Sequence, residues 1–157
     1  MNLRCLPLLL SGLLLAGGAI ASDADHVKAS QAWIRVMPGS LPAGGYVTLE
    51  NHGAQAVNLR SVSSETYAEV MLHKSNTEGG MGRMEMVDSL SIPAHGKAML
   101  SPGGYHLMLM KATKPVKVGD KVKLSLRFAD GSTLLTDFDA RPANTVDGND
   151  TMDHQGH

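Results

Sequence analysis

Residues 102–110 read PGGYHLMLM, and they place His106 two positions before Met108. Imidazole nitrogen and thioether sulfur each offer a lone pair to a metal. In an extended strand, residues i and i+2 share a face. Their Cα atoms then stand about 7 Å apart, so the two side chains can converge on one atom above the strand. Met110 shares that face but lies about 13 Å from His106, which makes it a neighbour rather than a co-ligand. Leu107 and Leu109 take the opposite face and are expected to anchor the strand in a core.

Two donors do not make a tight site, and the remaining candidates lie upstream. His73 has Met71 on its own parity, and the segment GGMGRMEMV supplies Met81, Met84 and Met86. Met84 and Met86 share a face, whereas Met81 is on the other parity. Eight of the ten methionines fall between Met37 and Met110, a bias that needs a reason. A methionine on a strand is ordinarily core filler, and a lone histidine is ordinarily a surface or hydrogen-bonded residue. The pairing of His106 with Met108, both opposite the core face, is what points to ligands. His52 and His95 each sit beside a glycine in a turn and are expected on the surface.

Thioethers are soft and neutral. They suit Cu(I) and are poor ligands for Zn²⁺, which favours Cys, His and carboxylate. A His/Met set without cysteine therefore selects Cu(I). Such ligands leave the ion its charge of +1, so the site must stay near the surface. Methionine has no proton to lose. Only the histidines compete with protons, and affinity is expected to fall below about pH 6.5.

The elements that carry these residues read as strands. WIRV (33–36), YVTLEN (46–51), VNLRSVSS (57–64), YAEVMLHKS (67–75), MGRMEMV (81–87), KAML (97–100), KVKLSLRF (121–128) and TLLTDFD (133–139) alternate at period 2 between turn residues. Asp130-Gly131 is a hairpin signal. There is no long amphipathic helix and no repeat. Many short strands with regular turns predict an antiparallel sandwich or barrel in one domain.

The chain of 157 residues opens like a secretory signal peptide: Arg4, an apolar run from Leu6 to Ala16, and Ala19-Ile20-Ala21 before Ser22. Residues 1–21 are expected to be removed, with cleavage after Ala21. The domain is expected over 22–142, and a polar, disordered tail over 143–157. The one cysteine, Cys5, lies in the signal. The mature chain would thus have no thiol, no disulfide and no lipid-bearing cysteine. Its apolar run is too short for a membrane span, so no transmembrane anchor is expected. With Arg4 removed, 13 Lys/Arg face 15 Asp/Glu, a balance that gives no case for nucleic acid. A blue-copper electron carrier needs a cysteine thiolate and is disfavoured. No nucleophile motif, carboxylate pair or phosphate loop argues for an enzyme. A β-domain that binds no metal remains the plain alternative.

At these residues the sequence resembles the PCuAC periplasmic copper chaperones, whose signature is His, ten residues, Met, twenty-one residues, His, one residue, Met. Here His73, Met84, His106 and Met108 match all four positions, and the likeness extends over about residues 30–140. The flanking IPAHGKAMLSPGGYHLMLM and VKVGDKVKLSLRFADG also look like the family. The resemblance implies a cupredoxin-like Greek-key fold and one Cu(I) held by those four residues. It selects Met84 over Met81 and Met86, which spacing alone leaves open; Met86 and Met110 become neighbouring soft residues. It further implies a monomeric periplasmic chaperone that passes copper to cytochrome c oxidase subunit II, at the CuA site, or to its assembly factors. General periplasmic copper storage or tolerance fits the same residues. Met152, His154 and His157 in the tail form a possible secondary site, suited to Cu(II) through imidazoles.

Overall fold

The computed structural model describes residues 20–146. A single turn of helix, α1 (Asp23–His26), leads into ten strands: β1 (Val27–Arg35), β2 (Ala43–Asn51), β3 (Val57–Ser64), β4 (Tyr67–Asn76), β5 (Arg83–Met86), β6 (Leu90–Ile92), β7 (Lys97–Leu100), β8 (Tyr105–Ala112), β9 (Lys121–Phe128) and β10 (Thr133–Arg141). A short 3-10 turn, Glu78–Gly80, precedes β5.

Alternation makes these strands. Along β9 every second residue is buried, so Val122, Leu124, Leu126 and Phe128 turn inward. The turn to β10 uses Gly131 at φ 85, a left-handed conformation that glycine adopts without a side-chain clash. Asp130 holds this turn by accepting from the backbone N–H and hydroxyl of Ser132, and it also accepts from the backbone N–H of Asp23. These bonds, that of Asp23 first, keep its carboxyl below the usual range.

The strands form one sheet in the order β5-β4-β8-β7-β2-β1-β10-β9-β3-β6. The sheet folds on itself so that β3 packs on β4 and β6 on β7. The core between these layers contains Ile34, Val47, Leu49, Leu107, Leu109, Leu124, Leu126, Phe128 and Phe138. The chain is all-β and cupredoxin-like, as expected. Two pairings are parallel, β1 with β10 and β7 with β8, and the others are antiparallel.

Three strands differ from the sequence reading, and the first of them, β2, begins at Ala43, three residues before YVTLEN. β1 begins at Val27, six residues before WIRV. Its register shifts between Ser30 and Trp33, and Gln31 has φ 50, so a bulge breaks the alternation that would have revealed it. β6 has three residues, too few to show a period. Beyond position 142, Thr145 is buried and its carbonyl accepts from Arg35 Nη2 at 2.6 Å.

What matters for the site is the contrast between β8 and β5. β8 is flanked by β4 on one side and by β2 and β7 on the other. β5 is an edge strand, paired only with β4, and all four of its residues are exposed.

Candidate metal centre

Leu107 and Leu109 are fully buried in the core. Burial of each contributes about 2 kcal/mol to holding β8 in place. Their alternation turns His106 and Met108 to the outer face. Pairing then decides what stands beside them. His73 on β4 is directly opposite His106, and Met71 is opposite Met108. Met86 on β5 is directly opposite His73, while Met84 is opposite Ser75 and so diagonal to His73. Directly paired residues of an antiparallel ladder share a face. Met71, His73, Met84, Met86, His106 and Met108 therefore form one soft patch on the outer surface of β5-β4-β8.

Within this patch, exposure rises from β8 to the edge. His106 is 7% exposed and Met108 half-buried, whereas Met84 and Met86 are 61% and 69% exposed. The two imidazoles stand edge to face, with ring centroids 5.8 Å apart and planes at 73°.

The ring nitrogens carry the chemistry. His106 Nδ1 lies 3.2 Å from the Gly104 carbonyl. A carbonyl can only accept, so Nδ1 donates and Nε2 keeps its lone pair. Nε2 is buried and has no partner, and neither has the buried Nδ1 of His73. Buried polar atoms are ordinarily bonded, and an orphan calls for a missing ion or water. Burial, and secondarily the charge of a protonated His106, lowers the pKa of His73. The ring thus favours its neutral form, the one that binds metal. Two facing imidazoles with free nitrogens, beside thioethers, fit a soft monovalent cation. Among the described residues, no three His, Cys, Asp or Glu side chains gather around one point. A hard-ligand cluster is not what this surface offers.

A cleft of about 290 Å³ opens beside these side chains. His106, Met108, Met84 and Ser75 line it together with Arg35, Gly44 and Tyr46. Pro102, Gly103 and Met37 also line it.

The remaining sequence candidates stand apart. Met110 is opposite Glu69, which pairs with Lys111, so its surroundings are an ion pair rather than the imidazoles. Met81 is exposed beyond the start of β5. His52 and His95 are exposed. Met152, His154 and His157 lie outside the described residues. Sequence reasoning missed Arg35 and Tyr46, which no local spacing links to His106; only the pairing of β1, β2 and β8 brings them to the same cleft.

Residues 27–140 match the LpqE-like family. A relative from Leifsonia xyli subsp. xyli, "Putative lipoprotein Lxx21020", is 34% identical over 112 residues, 71% of this chain and 67% of the relative. The solution structure of CuI-DR1885 from Deinococcus radiodurans is 32% identical, with a TM-score of 0.59 over 84% of this chain and 86% of that one. The apo PmoF2 PCuAC domain superposes with a TM-score of 0.65 at 20% identity, covering 78% of this chain and 94% of the domain, a likeness of fold. Among the described residues no helix is long and apolar enough to cross a membrane. The chain has the fold of the PCuAC domains and belongs to the LpqE-like family.

Proposed function

We propose that this protein carries copper in the cell envelope. It binds one Cu(I) through His73, Met84, His106 and Met108 and passes the ion to an acceptor by ligand exchange. The observation that carries this reading is the pair of buried, partnerless imidazole nitrogens on His73 and His106, facing the same side as the two thioethers. The copper-loaded relative CuI-DR1885 supports it.

The gradient of exposure gives transfer a direction. His106 and Met108 sit on an interior strand and stay fixed, while Met84 sits on the open edge. A partner ligand replaces Met84 first, then His73, and the ion leaves toward the edge. Neutral ligands need no protonation to let go, so exchange costs only the bonds themselves.

The acceptor we propose is cytochrome c oxidase subunit II, at its CuA site, or the factors that assemble it, and the compartment is the periplasm. Residues 1–21 act as the signal peptide. Met152, His154 and His157 collect Cu(II) for the same protein. The relative's name, a lipoprotein, supports an envelope location. Storage or tolerance would use the same four ligands, and a transfer assay separates them from delivery.

The test is competition for Cu(I) against a chromogenic chelator under argon. One equivalent bound tightly by the protein and delivered to a CuA-domain thiolate pair is the expected result. Binding without delivery would favour storage, and no binding would refute the copper reading.

A further inference from the structure

Strand register places a cation in line with the copper ligands. Met108 pairs with Gly44, Gly44 pairs with Arg35, and Arg35 pairs with Arg141. Two strand spacings put Arg35 about 10 Å from Met108 at the backbone. The residue between them has no side chain. A Cβ on Gly44 would stand 2.6 Å from the Tyr46 hydroxyl, so glycine is what lets that ring lie across the gap. Arg35, Tyr46, His106, Met108 and Met84 all line the one cleft.

The guanidinium of Arg35 is held in place. It lies over the Tyr46 ring at 5.4 Å and the Trp33 ring at 5.6 Å, and Nη2 donates to the Thr145 carbonyl. These partners orient the charge, and none of them neutralises it. Nε is buried and has no acceptor. Among the described residues that line the cleft there is no carboxylate. Asp139, across from Trp33, is paired with Lys121 at 2.7 Å. A second guanidinium, that of Arg141, lies 5.8 Å from the Trp33 ring centroid.

We propose that Arg35 sets the oxidation state the site accepts: its uncompensated charge, fixed beside His106 and Met108, repels Cu(II) about twice as strongly as Cu(I). The softness of the thioethers already favours Cu(I). Arg35 adds an electrostatic bias that does not depend on ligand identity. This inference rests on the copper reading above, and its failure is separable from the failure of that reading. Taking the backbone spacing of about 10 Å as the charge separation, with the effective dielectric near 20 that suits protein sites, one unit charge changes the Cu(I)-over-Cu(II) preference by about tenfold.

The experiment measures Cu(I) and Cu(II) affinities of the full chain by competition with valence-specific chelators, together with the midpoint potential by mediated titration. Arg35→Gln should narrow the Cu(I)/Cu(II) affinity ratio by about tenfold, which is a fall of about 59 mV for a one-electron couple. Arg35→Lys should keep most of the ratio. Met37→Glu places a carboxylate in the cleft without touching the Arg35 stack, and it should narrow the ratio as well; Met37→Gln should not. If Arg35→Gln fails to fold, the Met37 pair carries the test alone. A ratio unchanged in Arg35→Gln and Met37→Glu, with Cu(I) still bound, overturns the proposal and leaves Arg35 as a staple for Trp33, Tyr46 and Thr145. Wild-type protein that takes no Cu(I) overturns both readings.

Discussion

The sandwich carries two groups of histidines, near opposite ends of β2, and they differ in what their nitrogens do. His73 and His106 stand beside the Gly44 end. His26, His52 and His95 gather at the Asn51 end, on the order of 25 Å away along the strand. The second group is joined through backbone: the His26 carbonyl accepts from the His52 N–H at 2.8 Å, and the Gly53 carbonyl accepts from the His95 N–H at 3.1 Å. The buried Asn51 organises that end, donating to the carbonyls of Gln55 and Ile92 and accepting from the Gly53 N–H. His52 and His95 are exposed, and His52 Nε2 lies 3.7 Å from the Glu50 carboxylate. In the first group His106 is buried and His73 half-buried, and a buried nitrogen on each is left without a partner. Proximity of histidines does not make a ligand set. We propose that burial of an unsatisfied lone pair, in soft company, does.

This comparison is open to attack, and the largest effect should come from His106. His106→Ala is expected to weaken Cu(I) binding by more than about 100-fold, since loss of an outer-shell partner alone costs up to that much. His52→Ala and His95→Ala should leave the affinity unchanged in the same chelator competition. Equal losses at both ends would erase the distinction.

Met108→Leu comes next. The two side chains are similar in volume, so the fold should lose less than about 1.5 kcal/mol. Thermal unfolding of the apoprotein checks that figure, and the Cu(I) affinity should still fall clearly. Met84→Leu should weaken binding less, because Met84 sits exposed on the edge strand, and it should alter the rate of transfer more than the affinity. Met86→Leu sharpens the contrast within β5. Met86 is directly across from His73 and Met84 is diagonal to it, yet Met84 is the one that lines the cleft with His106 and Met108. Retained affinity and transfer in Met86→Leu would separate a neighbour from a ligand.

The smallest effect is on the apoprotein. Burial lowers the folded-state pKa of His73. The unfolded chain therefore takes up a proton that the folded chain resists. The contribution is absent above the unfolded value of about 6.5, and stability is lost as pH falls through that value toward the folded one. The denaturant midpoint of wild type should fall relative to that of His73→Gln as the pH is lowered from 7.5 to 5. Parallel midpoints would show that His73 is not strained by its site.

Much of the fold was legible in the sequence because its strands alternate. The boundaries of β3, β7 and β9 were read from pattern alone, and the parity of PGGYHLMLM correctly turned His106 and Met108 away from Leu107 and Leu109. Two features were hidden locally, the bulge at Gln31 and the three-residue β6. The others were hidden because they are long-range. No spacing reveals that β1 runs parallel to β10, or that Arg35 and Tyr46 share a cleft with His106. Tyr46 itself shows how closed this side is: burial raises its phenol above the usual range, outweighing the opposing charge of Arg35.

The central claim is that one copper ion sits between two imidazoles and two thioethers. X-ray absorption at the copper edge of the Cu(I)-loaded protein measures that ligand set directly. Two nitrogen and two sulfur scatterers, with the sulfur amplitude reduced in both Met84→Leu and Met108→Leu, is the predicted result. A first shell of nitrogen and oxygen alone would contradict it.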